Sequence, residues 1–215
     1  MTVLDQLIER DKLKSLEGEK IYNFLVESDS SRFYSELFSA EEKKEKPELY
    51  DQQKDYYREK DGAYQVMNGI VARLKAVLDD DAVVVELGGG VHQRRSGNAY
   101  KEFKNYFPLD ISDTSIRGYS ERFDKVGFIA DATKLPFKPE SVDCVLTHTF
   151  LEHPLQPESV LEEIARVLKP GGFVVHNDAW FCRWWQRYGV VGLKRFSSMT
   201  AGEKLVTIGS KITEL

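Results

Sequence analysis

Short, nearly uninterrupted apolar runs between residues 82 and 178 constrain the fold more than any other feature of the chain. Val83–Leu87, Tyr106–Leu109, Val126–Ala130, Cys144–Leu146 and Phe173–Val175 are rich in β-branched or aromatic side chains, and turn-rich or helical stretches separate them. A strand with one wet face alternates apolar and polar residues. A strand apolar at almost every position suits a parallel sheet covered on both faces. Such strands alternating with longer segments predict an α/β architecture, a doubly wound and mostly parallel sheet with helices on both faces.

The flanks have a different texture. Residues 1–79 are rich in Glu, Lys, Asp, Leu and Tyr and carry few turn signals. Leu4, Leu7 and Ile8, and then Ile21, Phe24 and Leu25, recur at helical spacing. Glu41–Lys46 is a charged run, Pro47 restarts a helix, and Tyr50–Lys60 is a polar helix carrying Tyr50, Tyr56 and Tyr57. Val66, Ile70, Val71, Leu74 and Val77 form a stripe that packs a further helix on the core. Residues 1–79 are therefore expected to form a helical N-terminal extension or lid, and 80–178 the α/β core. Residues 179–215 open on Trp180, Phe181, Trp184, Trp185 and Tyr188, interleaved with Arg183 and Arg187. That cluster suits a substrate lid, an aromatic wall or a lipid contact, with packing as the plain alternative. Clear apolar runs are scarce after Val175, and Leu205–Ile208 is one weak candidate. The expectation is a shortened sheet or a chain truncated before its last strands.

Bulk charge removes some functions. The formal net charge is -5, without the basic footprint of a general nucleic-acid binder, so no DNA partner is expected. Cys144 and Cys182 are the only cysteines and build no disulfide framework, which suits a reducing compartment. No basic segment followed by an apolar run opens the chain. No apolar stretch approaches the about 20 residues that span a bilayer. A cytoplasmic protein without a transmembrane segment is expected.

Val83–Leu87 runs directly into Gly88-Gly89-Gly90. Glycines after a buried strand let the backbone turn sharply and approach a ligand, and open α/β sheets bind ligands outside the carboxyl ends of their strands. A tight connection explains a glycine run equally simply. The dinucleotide fingerprint G-x-G-x-x-G fits poorly, because Gln93 stands at the third glycine. Glu86 leading into Gly88 and Gly90 fits an acidic variant of the pattern better.

Glu86-Leu87-Gly88-Gly89-Gly90 resembles the first motif of class I S-adenosylmethionine-dependent methyltransferases, with His92 at the pattern's third glycine. Pro108-Leu109-Asp110-Ile111-Ser112 is similar to the second motif. Ile129-Ala130-Asp131-Ala132-Thr133-Lys134-Leu135-Pro136-Phe137 resembles the family's Gly-Asp-Ala-x-x-Leu-Pro-Phe segment. The strongest likeness is Val142-Asp143-Cys144-Val145 through Leu151-Glu152-His153, continued by Pro157, Leu161, Glu163, Ile164 and Arg166–Gly172. The Lys169-Pro170-Gly171-Gly172 turn is expected to end the preceding helix near Lys169 and lead into the fifth strand. After Gly90, Arg94-Arg95-Ser96-Gly97-Asn98 interrupts the long helix usual in the family, so the first crossover is expected to be short or irregular.

The resemblance implies a Rossmann-like fold and S-adenosyl-L-methionine as cofactor. It implies Glu86, Gly88, Gly89, Gly90, Asp110, Ile111, Asp131, Ala132 and Thr147 as the residues around that cofactor. Asp110 would accept from the ribose hydroxyls, with a helix N-cap as its structural alternative. Asp131 would accept from the adenine amino group, with the Ala132 amide meeting a ring nitrogen. His148, just past the fourth strand, is the candidate general base or acceptor contact. His153, His176, Trp180 and Trp184 are candidate substrate contacts. His92, Arg94 and Arg95 are either loop surface or ligand contacts. No metal is expected. The acceptor class implied is a small molecule, glycan or lipid. A nicotinamide-dependent oxidoreductase and a non-catalytic module that binds the cofactor are the alternatives.

Overall fold

A computed structural model describes residues 2–26, 62–89, 102–148, 150–151, 153–154 and 156–177. In chain order the elements are α1 (Val3–Leu7), β1 (Ser15–Glu17), β2 (Ile21–Asn23), α2 (Gly62–Lys75), β3 (Val83–Leu87), β4 (Asn105–Asp110), α3 (Asp113–Phe123), β5 (Gly127–Ile129), β6 (Val142–His148), α4 (Pro157–Val167) and β7 (Leu168–Asn177). Among the described residues the strands form one seven-stranded sheet in the order β1-β2-β5-β4-β3-β6-β7. Only β1 and β2 pair antiparallel; every other neighbour is parallel.

All five residues of β3 are buried, as a central parallel strand requires. Alternate residues feed two separate cores. Val83, Val85 and Leu87 join Leu109, Phe128, Val145, Val160 and Ile164 on one face. Val84 joins Val71, Leu74, Tyr106, Tyr119 and Leu146 on the other. Helices therefore cover both sides: α1 and α4 on the first face, α2 and α3 on the second. Each fully buried Val or Leu contributes about 1.5–3 kcal/mol relative to exposure.

The apolar runs coincide with β3 to β7 as expected, with Val126–Ala130 overhanging β5 by one residue at each end. The N-terminal segment differs. Over residues 2–26 helix is confined to α1 and a single turn at Arg10–Lys12. Ile21, expected on a helix, lies in β2, which adds a strand to the sheet beside β5. Three apolar residues match a helical spacing by chance when a strand alternates Tyr22 and Phe24 inward. Val71 and Leu74 of the expected stripe are buried, but Val77 lies past the end of α2 and is exposed. α4 ends at Val167, two residues early, and β7 begins at once. Lys169-Pro170-Gly171-Gly172 is thus an irregularity within the strand, where the β6–β7 register shifts between Val142 and Cys144. Gly171 adopts φ +79 there, a conformation that favours glycine. The first crossover, the tyrosine helix at 50–60, the aromatic cluster from Trp180 and the weak strand at Leu205–Ile208 lie outside the described residues. No helix among the described residues is long and apolar enough to cross a membrane.

Candidate functional site

Parallel register brings the motif residues to one edge. Leu87 pairs with Leu109 and with Thr147, Asp110 pairs with Ile129, and Thr147 pairs with His176. The carboxyl ends of β4, β3, β6 and β7 therefore stop side by side. Asp110, Gly88, His148 and His176 sit there with Asp131, two residues beyond β5. Open parallel sheets bind ligands at this edge.

The glycine turn is fastened to β4: the Gly88 and Gly89 amides both donate to the Leu109 carbonyl, at 2.8 and 3.2 Å. Gly88 has φ +74, and a Cβ there would lie 2.7 Å from Cδ2 of Phe150. Only glycine permits both the left-handed backbone and the ring against it. At Gly89 a Cβ would lie 3.0 Å from both Glu86 Cγ and Pro108 Cβ. Glu86 itself is only 2% exposed, and the Tyr106 hydroxyl donates to its carboxylate. A buried carboxylate needs such donors. Glu86 thus supports the turn from beneath.

The two aspartates at the edge are differently placed. Asp110 is half-buried, and its Oδ1 accepts from the Ser112 amide at 2.9 Å. The N-cap of α3 is Ser112, whose hydroxyl accepts from the Ser115 amide, so Asp110 is not needed for that role. Asp131 caps the single turn Ala132–Lys134: its Oδ1 accepts from the Thr133 amide at 2.9 Å and the Thr133 hydroxyl at 2.8 Å. Its Oδ2 accepts nothing among the described residues. Ala132 is buried and Ile111 half-buried beside these carboxylates in sequence.

Beyond Asp131 the chain is clamped by α4. Glu163 accepts from the Leu135 amide at 2.7 Å, while Arg166 donates to the Leu135 and Phe137 carbonyls at 3.0 and 2.8 Å and to both Glu163 oxygens at 2.7 Å. Burial alone would raise the Glu163 carboxyl, but the Arg166 hydrogen bond and charge and the Leu135 amide outweigh it and hold it below its ordinary value. The same hydrogen bond raises Arg166. Sequence reasoning placed both residues in the motif without a role. The available signal was an i, i+3 acid–base pair on a helix whose Val160, Ile164 and Val167 face the core.

The histidines separate. His148, the candidate base, is half-buried at the last position of β6. Thr147, expected near the cofactor, is fully buried, and its hydroxyl meets Nδ1 of the exposed His176 at 2.8 Å. That cross-strand pair had no counterpart in the sequence reading, because it depends on the β6–β7 register. His153 is exposed, and its amide donates to the Phe150 carbonyl at 2.9 Å in the turn after β6. Gly90, His92, Arg94, Arg95, Trp180 and Trp184 lie outside the described residues.

At the opposite edge, Asp143 accepts from the Val83 amide at 2.8 Å and from Lys169 Nζ at 2.8 Å on both oxygens. Burial, with the Asp143 charge adding, pushes the neighbouring Cys144 thiol up to about 12. These motif residues are structural.

The methyltransferase domain family matches residues 85–176, from the middle of β3 to the end of β7. That span holds Gly88, Asp110, Asp131, His148 and His176 of the carboxyl edge. This is the family that the sequence motifs resemble. Over 115 residues the chain is 32% identical to a malonyl-[acyl-carrier protein] O-methyltransferase of Marinomonas, covering 50% of this chain and 43% of that protein. Over 53 residues it is 47% identical to a demethylmenaquinone methyltransferase of Clavibacter sepedonicus, covering 24% of this chain and 22% of that protein. The match thus spans less than half the length of these curated relatives. Among solved structures, the trans-methyltransferase CalH in complex with SAH superposes with a TM-score of 0.44 at 21% identity, over 55% of this chain and 40% of that one.

The methyltransferase domain has a fitting set of groups for its family's cofactor. A nucleoside presents ribose hydroxyl and adenine amino donors. Asp110 and Asp131 present carboxylate acceptors from neighbouring strand ends, with one Asp131 oxygen left over after its cap is made.

Proposed function

We propose that this chain is an S-adenosyl-L-methionine-dependent methyltransferase acting on a small-molecule, glycan or lipid-like acceptor. The observation that carries the reading is the alignment of Asp110, the Gly88 turn and Asp131 on one edge of adjacent parallel strands. Asp110 accepts from the ribose hydroxyls, and Asp131 Oδ2 from the adenine amino group. Ile111 and Ala132 flank the purine. The turn at Gly88 and Gly89 approaches the amino-acid part, with Glu86 behind it and Thr147 alongside, and Gly90 is a further contact in this reading. When bound, S-adenosylmethionine supplies a methyl group already activated by its sulfonium, so the protein's contribution is orientation and exclusion of water. A base is required only where the acceptor loses a proton. His148 and His176, at adjoining strand ends, are the groups able to take one. His153 is a further acceptor contact in this reading. The acceptor class is supported by relatives named for acyl-carrier-protein, quinone and dimycocerosate substrates.

Incubating the protein with methyl-labelled S-adenosylmethionine and a small-molecule and lipid extract tests this. Label transferred by the wild type, and lost in Asp110→Ala with Asp131→Ala, is expected. A wild type that binds no S-adenosylmethionine overturns the reading.

A further inference from the structure

The stretch Asp131–Phe137 holds the purine acceptor in the reading above, yet its only regular structure is one turn of three residues. So short a turn does not fix its own position. α4 clamps its far side through Glu163 and Arg166. A second set of contacts comes from residues 2–24, which lie outside the segment matched to the methyltransferase family.

Before the stretch, the Phe24 amide donates to the Ile129 carbonyl at 2.8 Å and continues the β2–β5 pairing. Along its end, the Glu9 amide donates to the Pro136 carbonyl at 2.9 Å and the Lys138 amide to the Leu7 carbonyl at 2.8 Å. Ile8 and Phe137 form an antiparallel bridge between those two bonds. Lys138 Nζ adds a bond to the Asp5 carbonyl at 2.7 Å. Leu7, Ile8 and Phe137 are all fully buried. The N-terminal segment therefore grips the Asp131 stretch at both ends.

We propose that the N-terminal segment is a positioning element of the cofactor site, setting the Asp131 carboxylate against the adenine amino group. This rests on the cofactor reading above. It gives the segment a role in cofactor discrimination, where the sequence suggested a lid.

Glu9→Pro tests it by breaking the Glu9–Pro136 bond. Glu9 has φ −86, and Ile8 before it is extended at φ −93, ψ 151. Proline suits those dihedrals, removes the N–H, and sets its Cδ against the Pro136 carbonyl, so the two segments must part at that point. Combined with Lys138→Met it cuts two of the grips. Glu9→Ala, which keeps the amide, is the control. Binding of S-adenosylhomocysteine and of S-inosylhomocysteine, which has no adenine amino group, is measured by calorimetry. The wild type should prefer S-adenosylhomocysteine by at least about tenfold.

In Glu9→Pro/Lys138→Met that preference should collapse to about twofold or less, with S-inosylhomocysteine affinity unchanged. A purely structural role would weaken both ligands equally. Should the double variant not fold, Glu9→Pro alone carries the same test. A folded variant that keeps the wild-type ratio overturns the positioning role and leaves the cofactor reading standing. A wild type that binds neither ligand overturns both.

Discussion

At the amino edge of the sheet, Asp143 has both oxygens engaged, by Lys169 and by the first amide of β3. At the carboxyl edge, Asp131 has one oxygen closed onto Thr133 and the other turned to no partner among the described residues. The two aspartates stand in the same motif series, twelve positions apart, and are chemically identical. Register separates them. A parallel sheet places every strand start on one edge and every strand end on the other. One edge is then free to be closed by permanent hydrogen bonds while the other keeps acceptors for a ligand. Stability and recognition are divided along the strand axis.

Asp131→Ala should break the recognition side with the largest effect. Loss of a charge-assisted hydrogen bond of about 2–3 kcal/mol lowers S-adenosylhomocysteine affinity by roughly 30–150-fold. The melting temperature should move little, because only the cap of a single turn is lost. Calorimetry and thermal melting of the same sample separate the two effects.

Gly88→Ala should affect both sides. A left-handed alanine and a displaced Phe150 ring together should cost about 2–3 kcal/mol, visible as a melting temperature roughly 4–12 °C lower. S-adenosylhomocysteine affinity should fall as well.

Asp143→Ala is the mirror of the first variant. The Asp143–Lys169 pair is partly exposed, at 24% and 42% of the side chains. Solvent screening therefore limits the loss to about 1–2 kcal/mol, most of it from the Val83 amide bond. Melting should drop by roughly 2–8 °C with cofactor affinity within about twofold of wild type.

The smallest effect concerns pH. The Glu163 carboxyl is held below its ordinary value in the fold. Its contribution is therefore fully present above the unfolded-state value and is lost as pH falls through the lower folded value. Glu163→Gln should flatten stability against pH in that acid range while leaving the neutral-pH slope unchanged, as denaturant titrations at several pH values would register.

The parallel core was legible because buried strands must be apolar on both faces, and Val83–Leu87 and Cys144–Leu146 have no other use for such runs. Asp110 and Asp131 were legible as edge residues because each directly follows an apolar run, Tyr106–Leu109 or Val126–Ala130. The N-terminal hairpin was not. Ile21–Asn23 is three residues long, and a strand that short carries no period that distinguishes it from helix. The Tyr106–Glu86 bond was recoverable in principle: a carboxylate in an otherwise apolar strand needs a buried donor, and β4 supplies one on the same face. The Thr147–His176 pair and the grip of Leu7, Ile8 and Glu9 on Pro136–Lys138 depend on register and chain path. No local pattern encodes them. His148 remains the sequence's first choice of base, and His176 joins it only through the pairing of β6 with β7.

The central claim is that the carboxyl edge is a site for S-adenosylmethionine and not for a dinucleotide. Isothermal titration of the wild type with S-adenosylhomocysteine and, separately, with NADH tests it most directly. The account predicts saturable one-to-one binding of S-adenosylhomocysteine and no heat with NADH. Binding of NADH, or of neither ligand, would contradict it.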